Sequence, residues 1–239
     1  MTGTKRLRTL MHQVYERLFE HYGPQGWWPG DGPFETIVGA VLTQNTAWAN
    51  VDKVLANLRA ADAMSPAAIR AMPDDELAAL IRPSGYFNSK TKKLKAIALH
   101  LAAYDDDVGR WRERDAKELR AELLGVYGIG PETADDIVLY VAELPSFVMD
   151  TYTQRIVDRM GMMPNRKGPK RKSYEEYQAL FEDNLPHEAR LFNEYHALLD
   201  AHAKEVCLKR GPRCDACVLA DLCRTGKGTT IDPLAAAPR

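Results

Sequence analysis

Residues 116–143 read AKELRAELLGVYGIGPETADDIVLYVAE. Apolar residues at helical spacing flank the two glycines, Gly128 and Gly130, which predicts a helix, a tight turn and a second helix. Glycines allow backbone conformations that are closed to other residues, and Pro131 suits the first position of a helix. The N–H groups of such a turn are free to bind something negative, such as a phosphate of a DNA backbone. A plain turn between two antiparallel helices would have the same pattern.

The rest of the chain has the same helical spacing. Alternating runs typical of strands are missing, and prolines and glycines mark where helices begin and end. The sequence therefore predicts an all-α protein. A second group of helices begins near Leu144-Pro145. Residues 224–239 lack a periodic apolar face and predict a flexible tail.

Length and composition indicate a soluble globular protein of one or two domains. The chain has 239 residues, of which 45% are hydrophobic, and its net charge is −1. No stretch has the roughly 18 apolar residues of a membrane span, and the N-terminus does not resemble a secretory signal. We therefore expect a cytoplasmic protein with no membrane partner. Basic clusters at 90–95 and 164–173 are either solvated surfaces or sites for a polyanion.

The four cysteines form the strongest motif. They lie in CLKRGPRCDACVLADLC, residues 207–223, at spacings of six, two and five residues. Because the cytoplasm keeps thiols reduced, four clustered thiols indicate a metal site rather than disulfides. Zinc and a [4Fe–4S] cluster both accept four thiolates. The uneven spacing favours the cluster, with Cys207, Cys214, Cys217 and Cys223 as its ligands.

Three features follow one another along the chain: the glycine hairpin, the segment Val148-Met149-Asp150-Thr151 and the cysteine loop. In this order they resemble the helix–hairpin–helix DNA glycosylases of the endonuclease III superfamily. LTQNT at 42–46 and GYFNSK at 85–90 add to the resemblance, which runs from about Phe34 to Cys223.

The resemblance implies two helical domains with an active-site cleft between them. One is a six-helix barrel at 34–145 with the hairpin at 123–142, and the other is an iron–sulfur domain built from 1–33 and 146–223. A damaged base of double-stranded DNA would be flipped out into the cleft. We expect a monomer that acts at the nucleoid of a bacterium or an archaeon.

Individual residues match functional positions of that family. Asp150 matches the catalytic aspartate, which supports attack by water and stabilises the sugar cation formed as the base leaves. It also suits the N-cap of the next helix, and both roles can hold. Gln44 and Tyr86 match side chains that enter the gap left by the flipped nucleotide. Gly128 and Gly130 match the phosphate-binding hairpin.

One position departs from endonuclease III. That enzyme carries a lysine directly after the hairpin as its Schiff-base nucleophile, whereas this chain has Glu132. A carboxylate cannot form an imine with the C1′ carbon of the sugar. The departure predicts a monofunctional glycosylase whose lyase activity at abasic sites is weak or absent.

A tryptophan pair indicates the class of base. Trp-Trp-Pro before LTQNT, with Trp48 after it, resembles 3-methyladenine DNA glycosylase III, in which aromatic residues sandwich the alkylated base. Ordinary core filling by these tryptophans is the alternative. A methylated purine is cationic and stacks well on an indole. The best-known members of that group lack the cluster cysteines that this chain has. The resemblance implies a base pocket of Trp27, Trp28, Pro29, Trp48, Glu132 and Lys204.

The sequence thus predicts a monofunctional DNA N-glycosylase of base excision repair that removes alkylated purines such as 3-methyladenine. One alternative substrate class is oxidised pyrimidines or mismatched uracil and thymine. Removal of adenine opposite 8-oxoguanine is disfavoured, because we expect no recognition domain after Cys223. A non-catalytic iron–sulfur protein that binds DNA or senses damage is the alternative from another class. The histidines show no metal-ligand spacing with acids, and His196 and His202 are predicted to be packing residues.

Overall fold

The computed structural model describes residues 3–28, 30–163 and 172–226. Every regular element within these ranges is helical, which confirms the all-α prediction. None of the described helices has the length and hydropathy needed to cross a membrane. Pro29, most of the basic loop and residues 227–239 of the predicted tail lie outside the described ranges. The α-helices are α1 (Gly3–Tyr22), α2 (Pro33–Leu42), α3 (Trp48–Ala60), α4 (Pro66–Ala71), α5 (Asp74–Leu80), α6 (Phe87–Ala102), α7 (Ala116–Leu124), α8 (Pro131–Asp136), α9 (Thr151–Met160), α10 (Tyr174–Glu182) and α11 (Ala189–Glu205).

The chain divides into two compact units. The hairpin unit is Trp28–Ser146, and the terminal unit combines Met1–Trp27 with Phe147–Arg239. The first division falls between the two adjacent tryptophans, whereas the sequence analysis placed it after residue 33. Trp28 belongs to the hairpin unit because its ring packs on Trp48 and Tyr140, with centroid distances of 5.5 and 5.2 Å.

Helix α2 lies at the centre of the hairpin unit. All of its residues from Glu35 to Leu42 are buried, as expected of a helix that is apolar nearly all round. Helices α3, α6 and α8 pack around it. The carboxylate of Glu35 is buried too, and Arg59 on α3 donates to it with an Nε–Oε2 distance of 2.9 Å. This ion pair satisfies the one acid of the central helix.

The irregular helices of the hairpin unit include two that the sequence pattern does not distinguish from its surroundings. A 3-10 helix at Val108–Glu113 buries the indole of Trp111 completely. A π-helical segment at Ile137–Val141 continues α8. Neither changes the spacing of apolar residues enough to stand out from an ordinary helix in the sequence.

The terminal unit is held by α11, which packs against both α1 and α9. Its core is aromatic. The rings of Phe147 and Phe181 are stacked with centroids 3.9 Å apart, and Phe192 and Tyr195 of α11 contact Phe147 edge-on. The Tyr195 hydroxyl donates to the backbone oxygen of Met11 at 2.8 Å, which fastens α11 to α1. The cysteine loop follows directly after α11.

Candidate functional site

A buried ion pair holds the two helices of the glycine hairpin together. Arg120 of α7 donates to both carboxylate oxygens of Asp135 on α8, at 2.8 and 3.1 Å. Asp135 is fully buried and also accepts from the Ser146 hydroxyl. Bidentate arginine–carboxylate pairs fix geometry as well as charge. The Arg120–Asp135 pair therefore holds α7 and α8 together on either side of the turn.

The two hairpin glycines have different roles. Gly128 has φ +83, and an added Cβ would lie 2.2 Å from Cγ of Lys93. Gly130 has φ −96 and ψ 178, which any residue adopts, and an added Cβ would meet no atom within 4 Å. The expectation of a special backbone conformation is thus correct for Gly128 and wrong for Gly130. What glycine provides at position 130 is open space beside the turn.

Gln44 is fastened to the hairpin. Its Nε2 donates to the Gly128 oxygen at 3.1 Å and to Oγ1 of Thr133 at 2.9 Å. Its Oε1 accepts from the ammonium group of Lys93. The residue predicted to enter the duplex is therefore tied, in the free protein, to the residues predicted to hold the phosphate backbone.

The buried side chain of Lys90 links two loops through hydrogen bonds. Its side chain is only 2% exposed, and Nζ donates to the Leu42 oxygen, to Oγ1 of Thr46 and to the Ser84 oxygen at 2.7 to 2.8 Å. Burial, and secondarily the charge of Lys93, lower the pKa of Lys90 to about 8. The assignment of Lys90 to a basic surface cluster is wrong, because its buried ammonium group donates to oxygens at the end of α2, in the α2–α3 loop and in the turn before α6.

Tyr86 follows that turn and caps α6. Its φ of +46 is unusual for a residue other than glycine, and the residue is 75% exposed. A bulky residue keeps such a conformation only where the surroundings fix it. The Lys90 brace at Ser84, two residues earlier, supplies part of that support.

Asp150 is the N-cap of α9, which confirms the capping prediction. Its Oδ1 accepts from the Thr153 N–H at 2.7 Å, and His196 Nε2 lies 3.8 Å from the same oxygen. The side chain is 17% exposed. Burial raises the pKa of Asp150, but His196 and the Thr153 N–H together lower it more, so the net pKa lies below the usual range. The carboxylate is thus ionised, with Oδ1 held in place.

His196 is a site residue that the sequence analysis missed. It was predicted to be a packing residue and is indeed buried, yet it lies beside Asp150. Asp200 and Lys204 follow it at four-residue spacing on α11. Such spacing places the three side chains on one face of the helix, and this was the signal that could have marked His196.

Lys204, on the same face of α11, lies beside Trp27. Lys204 Nζ lies 2.6 Å from Oδ2 of Asp200 and 5.3 Å from the centroid of the Trp27 ring. Within the terminal unit, His196, Asp200 and Lys204 thus extend along one face of α11 from Asp150 to Trp27.

The other predicted pocket residues belong to the hairpin unit. Trp48 packs edge-on against Trp28, and both approach α2 at Gly39. An added Cβ at Gly39 would lie 3.3 Å from Trp28 Nε1 and 3.4 Å from Cη2 of Trp48. Glu132 is exposed in the first turn of α8. Trp28 and Trp48 thus take part in packing within their unit.

All four cysteines line one largely apolar cavity of the terminal unit, which also contains Ile156, Met160 and Leu219. Within the described ranges, no three His, Cys, Asp or Glu side chains converge closely enough to hold one metal ion. A single zinc needs all four sulfurs about 2.3 Å away from it. Four thiols are a donor set that either a zinc ion or a four-iron cluster accepts.

Two arginines of α9 fix the cysteine loop. Arg159 Nη1 donates to Sγ of Cys207 at 3.1 Å and to the Leu208 oxygen at 2.8 Å, and Arg155 Nε donates to the Cys207 oxygen at 3.0 Å. On the opposite side, His202 Nε2 lies 3.5 Å from Sγ of Cys217. The helix that Asp150 caps is therefore the helix that holds the cysteine loop.

Residues 38–186 match the family model described as "HhH-GPD superfamily base excision DNA repair protein". The chain belongs to this family. The match confirms the resemblance to the helix–hairpin–helix glycosylases of the endonuclease III superfamily, and the protein is a DNA glycosylase of base excision repair.

Individual relatives agree with this assignment. The chain is 39% identical to a Methanocaldococcus jannaschii protein provisionally named a DNA repair glycosylase, over 90% of this chain and 96% of that one. A trapped covalent complex of endonuclease III with DNA has the same fold, with a TM-score of 0.78, 23% identity and coverage of 92% of this chain and 97% of that one. Helicobacter pylori 3-methyladenine DNA glycosylase bound to 1,N6-ethenoadenine has a TM-score of 0.65 and 26% identity, covering 86% of this chain and 98% of that one.

Proposed function

We propose that the protein is a monofunctional DNA N-glycosylase that removes alkylated purines such as 3-methyladenine by hydrolysis. The observation that carries the proposal is the contrast between two carboxylates. Asp150 is held and ionised at the head of α9, and Glu132 stands where endonuclease III has its lysine.

Asp150 suits hydrolysis. As the bond between C1′ and the base nitrogen breaks, its electron pair goes to the base and positive charge develops on the sugar. A fixed carboxylate stabilises that charge without having to reorganise. Oδ1 accepts from the Thr153 N–H and lies near His196, and we assign the water molecule or the sugar to the other carboxylate oxygen, Oδ2. The water oxygen bonds to C1′, and one of its two protons passes to the Asp150 carboxylate and from there to bulk water.

Glu132 accounts for the absence of a lyase step. Schiff-base chemistry needs an amine that attacks C1′, and a carboxylate cannot replace it. An exposed acid in the first turn of α8 also stabilises the start of that helix. The residue is therefore compatible with the fold and incompatible with β-elimination through an imine.

Trp27 supports the choice of an alkylated purine. The solved relative named 3-methyladenine DNA glycosylase is bound to 1,N6-ethenoadenine, and the Trp-Trp-Pro turn is a sequence feature by which this chain resembles that group. Trp27 is partly exposed, and it belongs to the same unit as Asp150. For duplex binding, we assign Tyr86 and Gln44 to the gap left by the flipped base, and the hairpin at Gly128 and Gly130 to a phosphate.

A [4Fe–4S] cluster held by the four cysteines is part of the proposal. The donor set is four thiols around one cavity, with Arg159 donating to one sulfur. Such a cluster, when bound, fixes the loop after α11 and needs no role in the bond-breaking step. Protein purified without oxygen should contain iron and sulfide in equal amounts, and one zinc per chain instead would contradict the assignment.

Product analysis tests the proposed function. Duplexes carrying 3-methyladenine, 7-methylguanine, 1,N6-ethenoadenine, thymine glycol or uracil are each incubated with the protein, and the released bases are identified. We expect release of the alkylated purines and no borohydride-trapped complex with abasic DNA. Preferred release of thymine glycol or uracil would favour the alternative substrate class. Release of no base from any duplex would favour a non-catalytic DNA-binding protein.

A further inference from the structure

A positive charge already lies over the ring of Trp27. Lys204 Nζ is 5.3 Å from the centroid of that ring. A cationic methylated purine stacked on the same tryptophan would be repelled by Lys204 unless an anion compensates the charge. The groups around Lys204 therefore decide which bases Trp27 can accept.

Asp200 is the compensating anion. Its Oδ2 lies 2.6 Å from Lys204 Nζ, one helical turn away. The Asp200 side chain is 11% exposed and that of Lys204 is 48% exposed, so solvent screens only one partner of the pair well. Burial raises the pKa of Asp200 above its usual range, and the Asp150 carboxylate adds to the rise, whereas the bond to Lys204 favours the charged form. Asp200 therefore interacts electrostatically with Asp150, which would act on every substrate, as well as with Lys204, which lies at the aromatic ring.

We propose that Asp200 is a specificity-determining residue, which neutralises Lys204 and so allows a cationic alkylated purine to stack on Trp27. The inference rests on the proposed function and deepens it. A cationic base takes the electron pair of the broken C1′–N bond and leaves neutral. A neutral base takes the same pair and becomes negative, and Lys204 stabilises that charge. The Asp200–Lys204 pair thus serves both kinds of lesion.

The test compares a cationic and a neutral lesion in one duplex sequence. Single-turnover excision rates are measured for 7-methylguanine and for 1,N6-ethenoadenine. In Asp200→Asn, the rate ratio of cationic to neutral lesion should fall roughly 3- to 30-fold, the range set by cation–aromatic energies. The double variant Asp200→Asn/Lys204→Met should return the ratio to the wild-type value or above it, because the uncompensated charge is gone and Lys204 no longer assists departure of the neutral base. Higher salt should reduce the effect of Asp200→Asn.

Glu205→Gln is the matched control, since it removes an exposed acid from the same helix; its ratio should equal that of wild type. An unchanged ratio in Asp200→Asn overturns the inference. So does an equal loss on both lesions, which would mean that Asp200 acts through Asp150 or the fold. If the wild-type protein excises neither lesion, the proposed function fails. The dissociation constants for the 7-methylguanine and 1,N6-ethenoadenine duplexes are then compared. A selective loss of affinity for the 7-methylguanine duplex in Asp200→Asn supports a site that selects by charge. An unchanged ratio of the two constants overturns the inference.

Discussion

At the scale of single residues, Asp150 combines two tasks that one substitution can separate. As an N-cap it stabilises the start of α9 by accepting a hydrogen bond from the Thr153 N–H. In the proposed reaction its carboxylate carries the charge that hydrolysis needs. Asparagine is an equally good N-cap but has no charge.

Asp150→Asn should therefore lower the single-turnover excision rate by about 10²- to 10³-fold while leaving the fold intact. Affinity for the lesion duplex should be equal or higher, because a negative charge near phosphates has been removed. The control is Asp158→Asn, an acid on the same helix that accepts from the Tyr177 hydroxyl; it should keep normal excision. Normal excision in Asp150→Asn would show that Asp150 is a cap alone.

The adjacent tryptophans should respond differently to truncation. Trp28→Ala removes a ring packed between Trp48 and Tyr140, and we expect it to lower the free energy of unfolding by about 2–4 kcal/mol. Trp27→Ala removes a partly exposed ring beside Lys204. It should weaken excision of 3-methyladenine roughly 10- to 100-fold with a small change in Tm. Denaturant melts and excision assays on both variants check this. A parallel loss of stability in Trp27→Ala would assign that ring to the core.

At the scale of elements, the hairpin offers a matched pair of glycines. Gly128→Ala meets both a positive φ and the Lys93 side chain, and should cost about 1–3 kcal/mol of folding free energy. Gly130→Ala meets neither, so its Tm should equal that of wild type. If a phosphate approaches the open space at Gly130, that variant should nevertheless bind duplex DNA more weakly. Thermal melts and dissociation constants for undamaged duplex measure both effects, and unaltered DNA binding by Gly130→Ala would place the phosphate elsewhere.

The loop brace at Lys90 predicts a pH dependence of stability. Burial lowers its pKa from 10.5 to about 8 in the folded chain, so between these pH values the unfolded chain binds more protons at this residue. The free energy of unfolding then rises with pH across this window. Subtracting the values for Lys90→Met isolates the effect, which should reach at most about 3 kcal/mol by pH 10.5. Urea melts at several pH values measure it, and a flat difference would show that the buried ammonium keeps its ordinary pKa.

The sequence predicts helices and motifs well and predicts their partners poorly. The helical spacing around the hairpin, and the capping role of Asp150, follow from local chemistry. The burial of Lys90 does not, because its three acceptors come from positions up to 48 residues away. Gln44 on the hairpin and His196 beside Asp150 are also long-range pairs. Such contacts are set by packing of helices, which periodicity within one helix does not encode.

At the scale of the whole molecule, the cysteine loop and the hairpin unit should respond separately to loss of the proposed [4Fe–4S] cluster. Arg155 and Arg159 tie the loop to α9, within the terminal unit alone. Chelation of iron should speed amide hydrogen exchange at residues 207–223 and at the end of α9. Amides of α2, in the hairpin unit, should keep their protection and so act as an internal control. Equal loss of protection in both units would mean that the cluster supports the entire fold.

The terminal unit is assembled from both ends of the chain, and this imposes an order on synthesis at the ribosome. The hairpin unit is complete once Ser146 has been translated. Helix α1 must wait for α11, which begins roughly 170 residues later, or roughly 10 to 30 seconds at typical elongation rates. During that interval the apolar stripe of Leu10, Met11, Val14 and Leu18 is exposed on the nascent chain. The stripe is therefore a segment for a chaperone to shield until α11 emerges.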